Sequence, residues 1–430
     1  MKNIFPIFLI MLVACQPSST DKSFPSPATP VTPNQDTVIP LTREVYYDKV
    51  LGMLVGSAIG DAMGAPTEMW DRHAIEVQKG YVDKLEDVIR ERSPEGPWET
   101  NMPAGSTTDD TRWKYLGIHY LLTQPPDALN PHDFAKHIID VYQTKIDEVD
   151  EKRDYKNIDR IFTQATWLIE WVNVAEPFVK NDMAGYNGNL SRFYGGEMSC
   201  AGLLYTPLVG AYFPGAPTMS YNQAYALTIF DIGYAKDISS LTAAYVSKAM
   251  QPDVTYEEIT SVTQEVDPQG YFHSRLIGRM AFKAYQNAQQ ITHEAYQLSA
   301  SDIPDNLRLP QNFKRDALYY IQLQKAYSLL EKHLQDVPFH AAEIHQINLT
   351  ALEFSKGDFS KAIEFVTNFG RDNDTVGAVT GAILGAYWGA KKLPPDLVAK
   401  VLQVNKERVG LDLEKLAQQL VDHRMKHERQ

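Results

Sequence analysis

Apolar residues recur at three- and four-residue intervals along most of the chain, which is the spacing of amphipathic α-helices. No long stretch alternates apolar and polar residues in the manner of a half-buried strand. The pattern therefore predicts an all-α fold, and Lys145–Arg160, dense in both signs of charge, is expected to be an exposed loop or helix end. The predicted helices are Val45–Gly60, Thr111–Leu122, Pro131–Thr144, Asp159–Asn173, Tyr221–Gly233, Ser239–Ala249, Tyr271–Gln290, Asn312–Gln335, Phe359–Asn368, Asp374–Gly389 and Asp412–Lys426.

Two of these segments carry glycine at every fourth position, which places the glycines on one helical face. Each glycine in a helix interior costs about 1 kcal/mol relative to alanine, so their repetition indicates that another backbone approaches closely. We therefore expect the two segments to pack against each other. The first should end near Gly64, because Pro66 follows. The glycines are Gly52, Gly56, Gly60 and Gly64 in the first segment and Gly377, Gly381, Gly385 and Gly389 in the second.

The amino terminus has the pattern of an export signal. Lys2 precedes an apolar run of about ten residues, which is too short to span a bilayer. The run ends in Leu12-Val13-Ala14-Cys15, which resembles a bacterial lipobox, in which the cysteine is lipidated and becomes the mature amino terminus. The alternative is an ordinary cleaved signal with a chance cysteine. Gln16 favours the outer membrane, so we expect a lipid-anchored protein of the cell envelope that faces the periplasm or the cell surface.

The rest of the chain has two parts that differ in amino-acid composition. Residues 16–41 are rich in Pro, Ser and Thr and are predicted to be a disordered tether, while 42–430 are predicted to form a single domain. The net charge of −13 argues against nucleic acid as a partner. Only Cys200 remains besides Cys15, so a lipidated Cys15 leaves the domain without an internal disulfide. We expect a monomer.

Two acidic clusters open predicted helices, Thr108-Asp109-Asp110-Thr111 and Asp372-Asn373-Asp374-Thr375. Taken singly, each could be a helix cap. Taken together with Glu68, they offer five carboxylates and no histidine or cysteine, a donor set that selects Mg²⁺, Mn²⁺ or Ca²⁺ over Zn²⁺. If the glycine-bearing helices pair, their ends could bring these carboxylates together, and two divalent cations would nearly balance the charge. The acidic residues alone therefore predict two divalent cations, and leave Mg²⁺, Mn²⁺ and Ca²⁺ open.

Three segments resemble, in order and approximate spacing, the signature segments of the ADP-ribosylglycohydrolase family, which includes the dinitrogenase reductase-activating glycohydrolases. They are Gly60–Glu68, Thr108–Thr111 and Gly370–Thr375, and the resemblance extends over roughly Tyr47 to Gly389. It implies an all-α domain with a central cleft that holds two Mg²⁺ ions. It also implies hydrolysis of the bond that links ADP-ribose to a protein side chain or a similar acceptor.

The resemblance assigns roles to individual residues. Glu68 and Asp110 become the catalytic candidates, with Glu68 placed for metal contact or proton transfer. Asp61 is expected to have a supporting or structural role. The implied metal ligands are Thr108, Asp109, Asp110, Asp372, Asp374 and Thr375.

A glycine-rich segment near the middle of the chain departs from the family pattern. Family members that act on ADP-ribosylated proteins often have Met-Arg there, whereas this chain has Met198-Ser199. By resemblance, the substrate-binding candidates are Gly195, Gly196, Met198 and Ser199. Cys200 is interpreted as a small core residue rather than a nucleophile, because no histidine lies nearby in sequence.

Three functions stay open at this point. The first is a Mg²⁺-dependent hydrolase of an N- or O-glycosidic ADP-ribosyl bond, acting on a small molecule or an ADP-ribosylated protein. The second is the same hydrolase acting on another riboside, nucleotide sugar or carbohydrate glycoside, which the altered middle segment allows. The third is a non-catalytic, lipid-anchored binding protein, against which the complete acidic set argues.

Overall fold

The two glycine-bearing helices lie against each other at the centre of the fold, as the sequence predicted. The computed structural model describes residues 36–89, 101–125, 128–152 and 167–427. In it, α1 (Arg43–Gly64) runs antiparallel to α16 (Asn373–Trp388). A Cβ added at Gly377 would lie 2.5 Å from the carbonyl oxygen of Gly60, and one at Gly381 would lie 2.6 Å from the carbonyl carbon of Gly56. The backbones therefore touch, and glycine on both sides is what permits it.

Helices surround this central pair. Both members are apolar around almost their whole circumference, which is the pattern of a helix buried on all sides. The described helices, in chain order, are α1 (Arg43–Gly64), α2 (Arg72–Lys79), α3 (Asp109–Leu121), α4 (Pro131–Lys152), α5 (Ile169–Val179), α6 (Met183–Leu190), α7 (Thr206–Tyr212), α8 (Pro217–Leu227), α9 (Ala235–Ala249), α10 (Tyr256–Thr260), α11 (Val262–Glu265), α12 (Met280–Tyr296), α13 (Ala317–Leu330), α14 (Ala341–Ser355), α15 (Phe359–Phe369), α16 (Asn373–Trp388), α17 (Pro395–Val404) and α18 (Leu413–His427). The all-α prediction is confirmed.

A single small sheet stands out within the described residues. Strands β1 (Trp70–Asp71) and β2 (Gly370–Arg371) are two residues long and antiparallel, with Trp70 opposite Arg371 and Asp71 opposite Gly370. Neither strand was predicted, because two residues are too few to show an alternating pattern. The sheet ties the chain that follows α1 to the chain that precedes α16.

Several predicted helix limits were wrong. Residues 271–279 are not part of α12, because Arg279 leaves the helix to form a fully buried ion pair with Asp237 at 2.8 Å. α8 begins at Pro217, where proline suits the first turn, and ends at Leu227 rather than Gly233. α13 spans only part of the predicted 312–335 because Asp316 caps its start. α4 continues to Lys152, and α5 runs to Val179, while residues 153–166 lie outside the described ranges.

Gly389 was also misplaced, since it follows the end of α16 with φ +77°, although it still packs against α1, at Asp48. The predicted tether ends earlier than residue 41. Ile39 donates its N–H to Pro214 O at 3.0 Å, and its side chain fills the space beside Gly215. The rest of the tether and Cys15 lie outside the described residues. Among the described helices, none combines the length and hydropathy that a bilayer span requires.

Candidate metal centre

The carboxyl end of α1 meets the amino end of α16 because the two helices are antiparallel. A Cβ at Gly64, the last residue of α1, would lie 2.5 Å from the carbonyl oxygen of Asn373. The Asn373 side chain donates from Nδ2 to Thr67 Oγ1 at 2.9 Å. These contacts hold the 3₁₀ turn Ala65–Thr67 against the start of α16. Glu68, the next residue, is thereby placed beside that helix end.

The small sheet fixes the same two segments from the other side. Met69 donates its N–H to Arg371 O at 2.7 Å. Gly370 has φ +81°, and a Cβ there would lie 3.2 Å from the carbonyl carbon of Trp70 and 3.1 Å from the Ile75 side chain. Glycine is therefore required for the strands to pair at this point. The result is that the backbone before Asp372 has little freedom relative to the backbone after Glu68.

Three carboxylates converge at this junction. Glu68, Asp372 and Asp374 each offer an oxygen, and these oxygens lie within 4.8 Å of one another. Asp372 and Asp374 are 4% and 2% exposed, while Glu68 is partly exposed. Asp372 occupies the N-cap position of α16, yet its side chain accepts no capping hydrogen bond from the backbone of that helix. Helix capping therefore does not explain this aspartate, and Asp374 Oδ1 has no hydrogen-bond partner among the described residues.

The start of α3 brings the other acidic cluster to the same place. Thr375 Oγ1 donates to Asp110 Oδ2 at 3.0 Å, which links the two clusters directly. The other oxygen, Asp110 Oδ1, lies 3.6 Å from Lys114 Nζ. Thr108 does cap α3, since its Oγ1 accepts from the Asp110 N–H at 3.3 Å. Asp109, the first residue of α3, is partly exposed.

Asp61 holds the start of α3 in position, which is the supporting role expected for it. Its carboxylate is fully buried and accepts from the Thr108 N–H at 2.9 Å. It also accepts from the Thr111 hydroxyl at 2.6 Å and the Thr111 N–H at 3.2 Å. Because Asp61 belongs to α1, these bonds attach α3 to the central helix pair. All the predicted metal-ligating segments thus rest on α1 and α16.

Burial and mutual repulsion make these carboxyls hold protons tightly. Burial, then the charges of neighbouring acids, raises the pKa of Asp61 and of Asp109 to about 7. The same causes, with Glu68 as the strongest neighbour, raise the pKa of Asp372 and Asp374 well above the usual range. These buried acids cannot all ionise at once, because their negative charges repel one another. A bound cation would reduce this repulsion.

The glycine-rich segment ends at the acidic cluster. Tyr194, Gly195 and Gly196 have φ of 45°, 79° and 76°, so three consecutive residues are left-handed. The Met198 carbonyl accepts from the Ala341 N–H at 2.7 Å, and the buried Ser199 pairs with His340 in a single β-bridge. The Met198 side chain packs on Gly233, whereas a Cβ at Gly195 would meet nothing within 4 Å.

Cys200 and Tyr194 lie next to the acidic cluster and differ in their chemistry. Cys200 Sγ lies 3.9 Å from Asp372 Oδ2, and burial, then the Asp372 charge, raises the thiol pKa. A protonated thiol agrees with the prediction that Cys200 is not a nucleophile. The sequence did not single out Tyr194, a left-handed non-glycine residue that is 43% exposed as a whole. Burial of its hydroxyl group, then the charge of Asp109, raises its pKa, so the hydroxyl borders the acidic cluster. The sequence feature that could have drawn attention to Tyr194 is an aromatic residue directly before two glycines.

A cavity of about 660 Å³ lies along the exposed side of α3. It includes Arg112, which lies about one helical turn after Asp109 on α3, so the cavity adjoins that end of the acidic cluster. Within the described residues, neither Arg112 nor Arg408 forms an ion pair, and Asp140 is the only carboxylate in the lining. The chain carries a net charge of −13, yet this lining is basic. Its charged and aromatic members are Arg112, Tyr115, His119, His137, Asp140, Lys145, Trp167 and Arg408.

Comparison with known proteins bears on the family and the fold of the chain. An Escherichia coli (strain K12) protein described as "Uncharacterized protein YegU" is 22% identical over 385 residues, which are 89% of this chain and 98% of that protein. The solved structure of an "ADP-ribosylglycohydrolase-related protein complex" shares the fold with a TM-score of 0.51 at 16% identity. The match covers 89% of this chain and 100% of that one. A model of the family described as ADP-ribosylglycohydrolase matches residues 42–430. The chain therefore belongs to the ADP-ribosylglycohydrolase family and is a hydrolase.

Proposed function

We propose that the chain is a Mg²⁺-dependent glycohydrolase that cleaves an N- or O-glycosidic ADP-ribosyl bond at a dinuclear centre. The observation that carries the proposal is the burial of Asp372 and Asp374 beside Glu68, with an Asp374 oxygen that lacks a hydrogen-bond partner among the described residues. Buried carboxylates this close together are costly unless a cation neutralises them. The donor atoms are all oxygen, which fits Mg²⁺, with Mn²⁺ as the alternative.

The residues divide into two groups of ligands. Glu68, Asp372 and Asp374 would hold one ion. The second would lie with Thr108, Asp109 and Asp110, next to the hydroxyl of Thr375. When bound, the ions would orient the vicinal hydroxyls of a ribose and stabilise the charge that develops on the sugar.

Exposure indicates how the substrate reaches the site. Glu68 and Asp109 are the partly exposed members, whereas Asp110, Asp372 and Asp374 are buried. The sugar therefore approaches from the side of Glu68 and Asp109. On this side Glu68 can take or give a proton at the scissile bond, because it alone combines exposure with a position on the emerging loop. Asp110, the other catalytic candidate, is held in one orientation by Thr375 and helps to position the sugar.

The basic cavity along α3 supports a substrate that carries phosphate. Arg112 and Arg408 would attract an anionic group, and Tyr115 and Trp167 offer flat faces to a planar one. Gly195, Gly196, Met198 and Ser199 stay the proposed substrate-binding residues, and the open side of Gly195 would leave room for a substrate. Ser199 stands where many family members have arginine, and this difference keeps another riboside, nucleotide sugar or carbohydrate glycoside as the second candidate substrate.

The amino-terminal sequence supports a further proposal about location. We propose that Cys15 is lipidated and that the protein is anchored in the cell envelope, at the outer membrane. The support is the sequence Leu12–Cys15 after a short apolar run. Metabolic labelling with a radioactive fatty acid should mark the wild-type protein but not Cys15→Ser. Labelling of both, or of neither, would remove this proposal.

Hydrolysis can be tested on the purified full-length chain. Release of ADP-ribose from an ADP-ribosylated protein or small compound is followed by chromatography with Mg²⁺ and with a chelator. The chelator and Asp374→Asn should each abolish release. Asp422→Asn is the matched control, because Asp422 is exposed and bonded only at the surface, to Arg43 and Gln418. Release that survives both the chelator and Asp374→Asn would overturn the metal-dependent mechanism.

The substrate class needs its own comparison. Neutral glycosides, other ribosides and nucleotide sugars are assayed beside the ADP-ribosyl compound. We expect the highest kcat/KM for the ADP-ribosyl compound, and Arg408→Gln should raise its KM more than it changes kcat. If a neutral glycoside is preferred and Arg408→Gln has no effect, the second candidate substrate class replaces the first.

A further inference from the structure

Lys114 is a buried cation at the acidic cluster. It lies one helical turn after Asp110 on α3, and its side chain is 1% exposed. Its ammonium group lies 3.6 Å from Asp110 Oδ1, and neither atom has a hydrogen-bond partner among the described residues. An ammonium group has three hydrogen-bond donors, and burying it away from water without hydrogen bonds costs free energy.

The surroundings of Lys114 prevent the usual escape of a lysine to solvent. Its helical neighbours Trp113 and Ile118 are fully buried, and Leu116 is 3% exposed. Lys114 is also the one buried lysine among the described residues. Burying this positive charge is costly unless an opposite charge stabilises it. The nearest opposite charge is the carboxylate of Asp110.

The two halves of the acidic cluster therefore differ in charge compensation. Asp110 already has a cation near Oδ1 and a hydroxyl donor on Oδ2. Asp372 and Asp374 form no salt bridge with any described residue, although their oxygens lie within 4.8 Å of each other and of Glu68. A divalent cation gains most attraction where the negative charge is least compensated.

We infer that Lys114 makes the two metal positions unequal. The position at Glu68, Asp372 and Asp374 binds its ion tightly. The position at Thr108, Asp109 and Asp110 binds weakly, because the Lys114 ammonium already supplies part of the positive charge there. This inference rests on the proposed dinuclear centre and deepens it. Lys114 acts on the metals through Asp110, as a positioning residue.

The test is a titration of metal-free, full-length protein with Mg²⁺ by calorimetry and with Mn²⁺ by electron paramagnetic resonance. Wild type should show two dissociation constants at least about tenfold apart, as expected when one position has a fixed neighbouring charge. Lys114→Met keeps the length of the side chain and removes the charge. It should tighten the weaker constant at least about tenfold and leave the stronger one within about threefold. Lys114→Arg keeps the charge and should keep the inequality.

The outcomes separate this inference from the proposed function. Two equal constants in wild type would overturn the inference while leaving a dinuclear hydrolase intact. A weaker constant that is unchanged or loosened in Lys114→Met would overturn it as well, provided that thermal unfolding shows the variant to be folded. If that variant does not fold, the wild-type titration decides alone. Absence of any divalent-ion binding in wild type would refute the metal centre itself.

Discussion

The central helix pair allows a sharp prediction for Gly381→Ala. A Cβ at this position would lie 2.6 Å from the carbonyl carbon of Gly56, and the carbonyl oxygen is closer still. Carbon atoms in ordinary contact are about 3.5–4.0 Å apart, so the helices must separate by about 1 Å. The obstacle is backbone in the middle of a helix, which cannot rotate away as a side chain can.

Two opposing effects set the size of the change. Alanine is favoured over glycine in a helix interior by about 1 kcal/mol. Overpacking a well-packed core costs about 1–3 kcal/mol and sometimes more, and here the strain extends along both helices. We therefore expect a net destabilisation of about 2 kcal/mol. A separation of about 1 Å would also move Asp374 away from Glu68, so the affinity for divalent ions should fall.

Gly188→Ala is the matched control. Gly188 lies inside α6, and a Cβ there would meet nothing within 4 Å. Only the helix-propensity gain applies, so this variant should be more stable than wild type by up to about 1 kcal/mol. Free energies of unfolding come from urea denaturation, with midpoints compared if the transition is not two-state. If Gly381→Ala is as stable as Gly188→Ala, close backbone packing does not explain the glycines.

Two further predictions concern charge. Arg371 forms an ion pair with the fully buried Glu343 at 2.6 Å, so Arg371→Gln should lower the free energy of unfolding in urea by about 3–5 kcal/mol. Arg43→Gln breaks an exposed ion pair and should lower it by less than about 1 kcal/mol. Equal losses in the two variants would contradict this account. The pKa of Asp61 and Asp109 is raised from 3.8 to about 7, so the metal-free fold loses stability as the pH rises through that window. The thermal stabilisation by Mg²⁺ should therefore grow from about pH 5 to about pH 8, and a pH-independent stabilisation would argue against cation binding at Asp109.

The sequence was sufficient where the relevant pattern is local and repeated. Glycines at every fourth position predicted that α1 and α16 touch, and the same pairing predicted that their ends bring Glu68 toward Asp372 and Asp374. Helix starts with acidic residues were also visible. Their two meanings, cap or metal ligand, could not be separated until the structure showed that Thr108 caps its helix and Asp372 does not.

The sequence was insufficient where polar residues are buried with distant partners. α14 was missed because Glu343, His345 and Asn348 interrupt its apolar pattern, although all three are buried. Asn348, for example, accepts at 2.8 Å from Thr380, which lies on another helix. Lys114 is a similar case, since a lysine on a helix is normally solvated and nothing local shows that it faces Asp110. Such residues become interpretable only when long-range contacts are known.

The contact between the end of α1 and the start of α16 also has a consequence for synthesis of the protein. Thr67 and Asn373, which share a hydrogen bond there, are 306 residues apart in sequence. At translation rates of about 5–20 residues per second, α1 waits about 15–60 seconds after its own synthesis before its partner exists. Throughout that interval its glycine face is uncovered, and contacts this distant in sequence form slowly. Chaperone binding to nascent chains should therefore concentrate on α1.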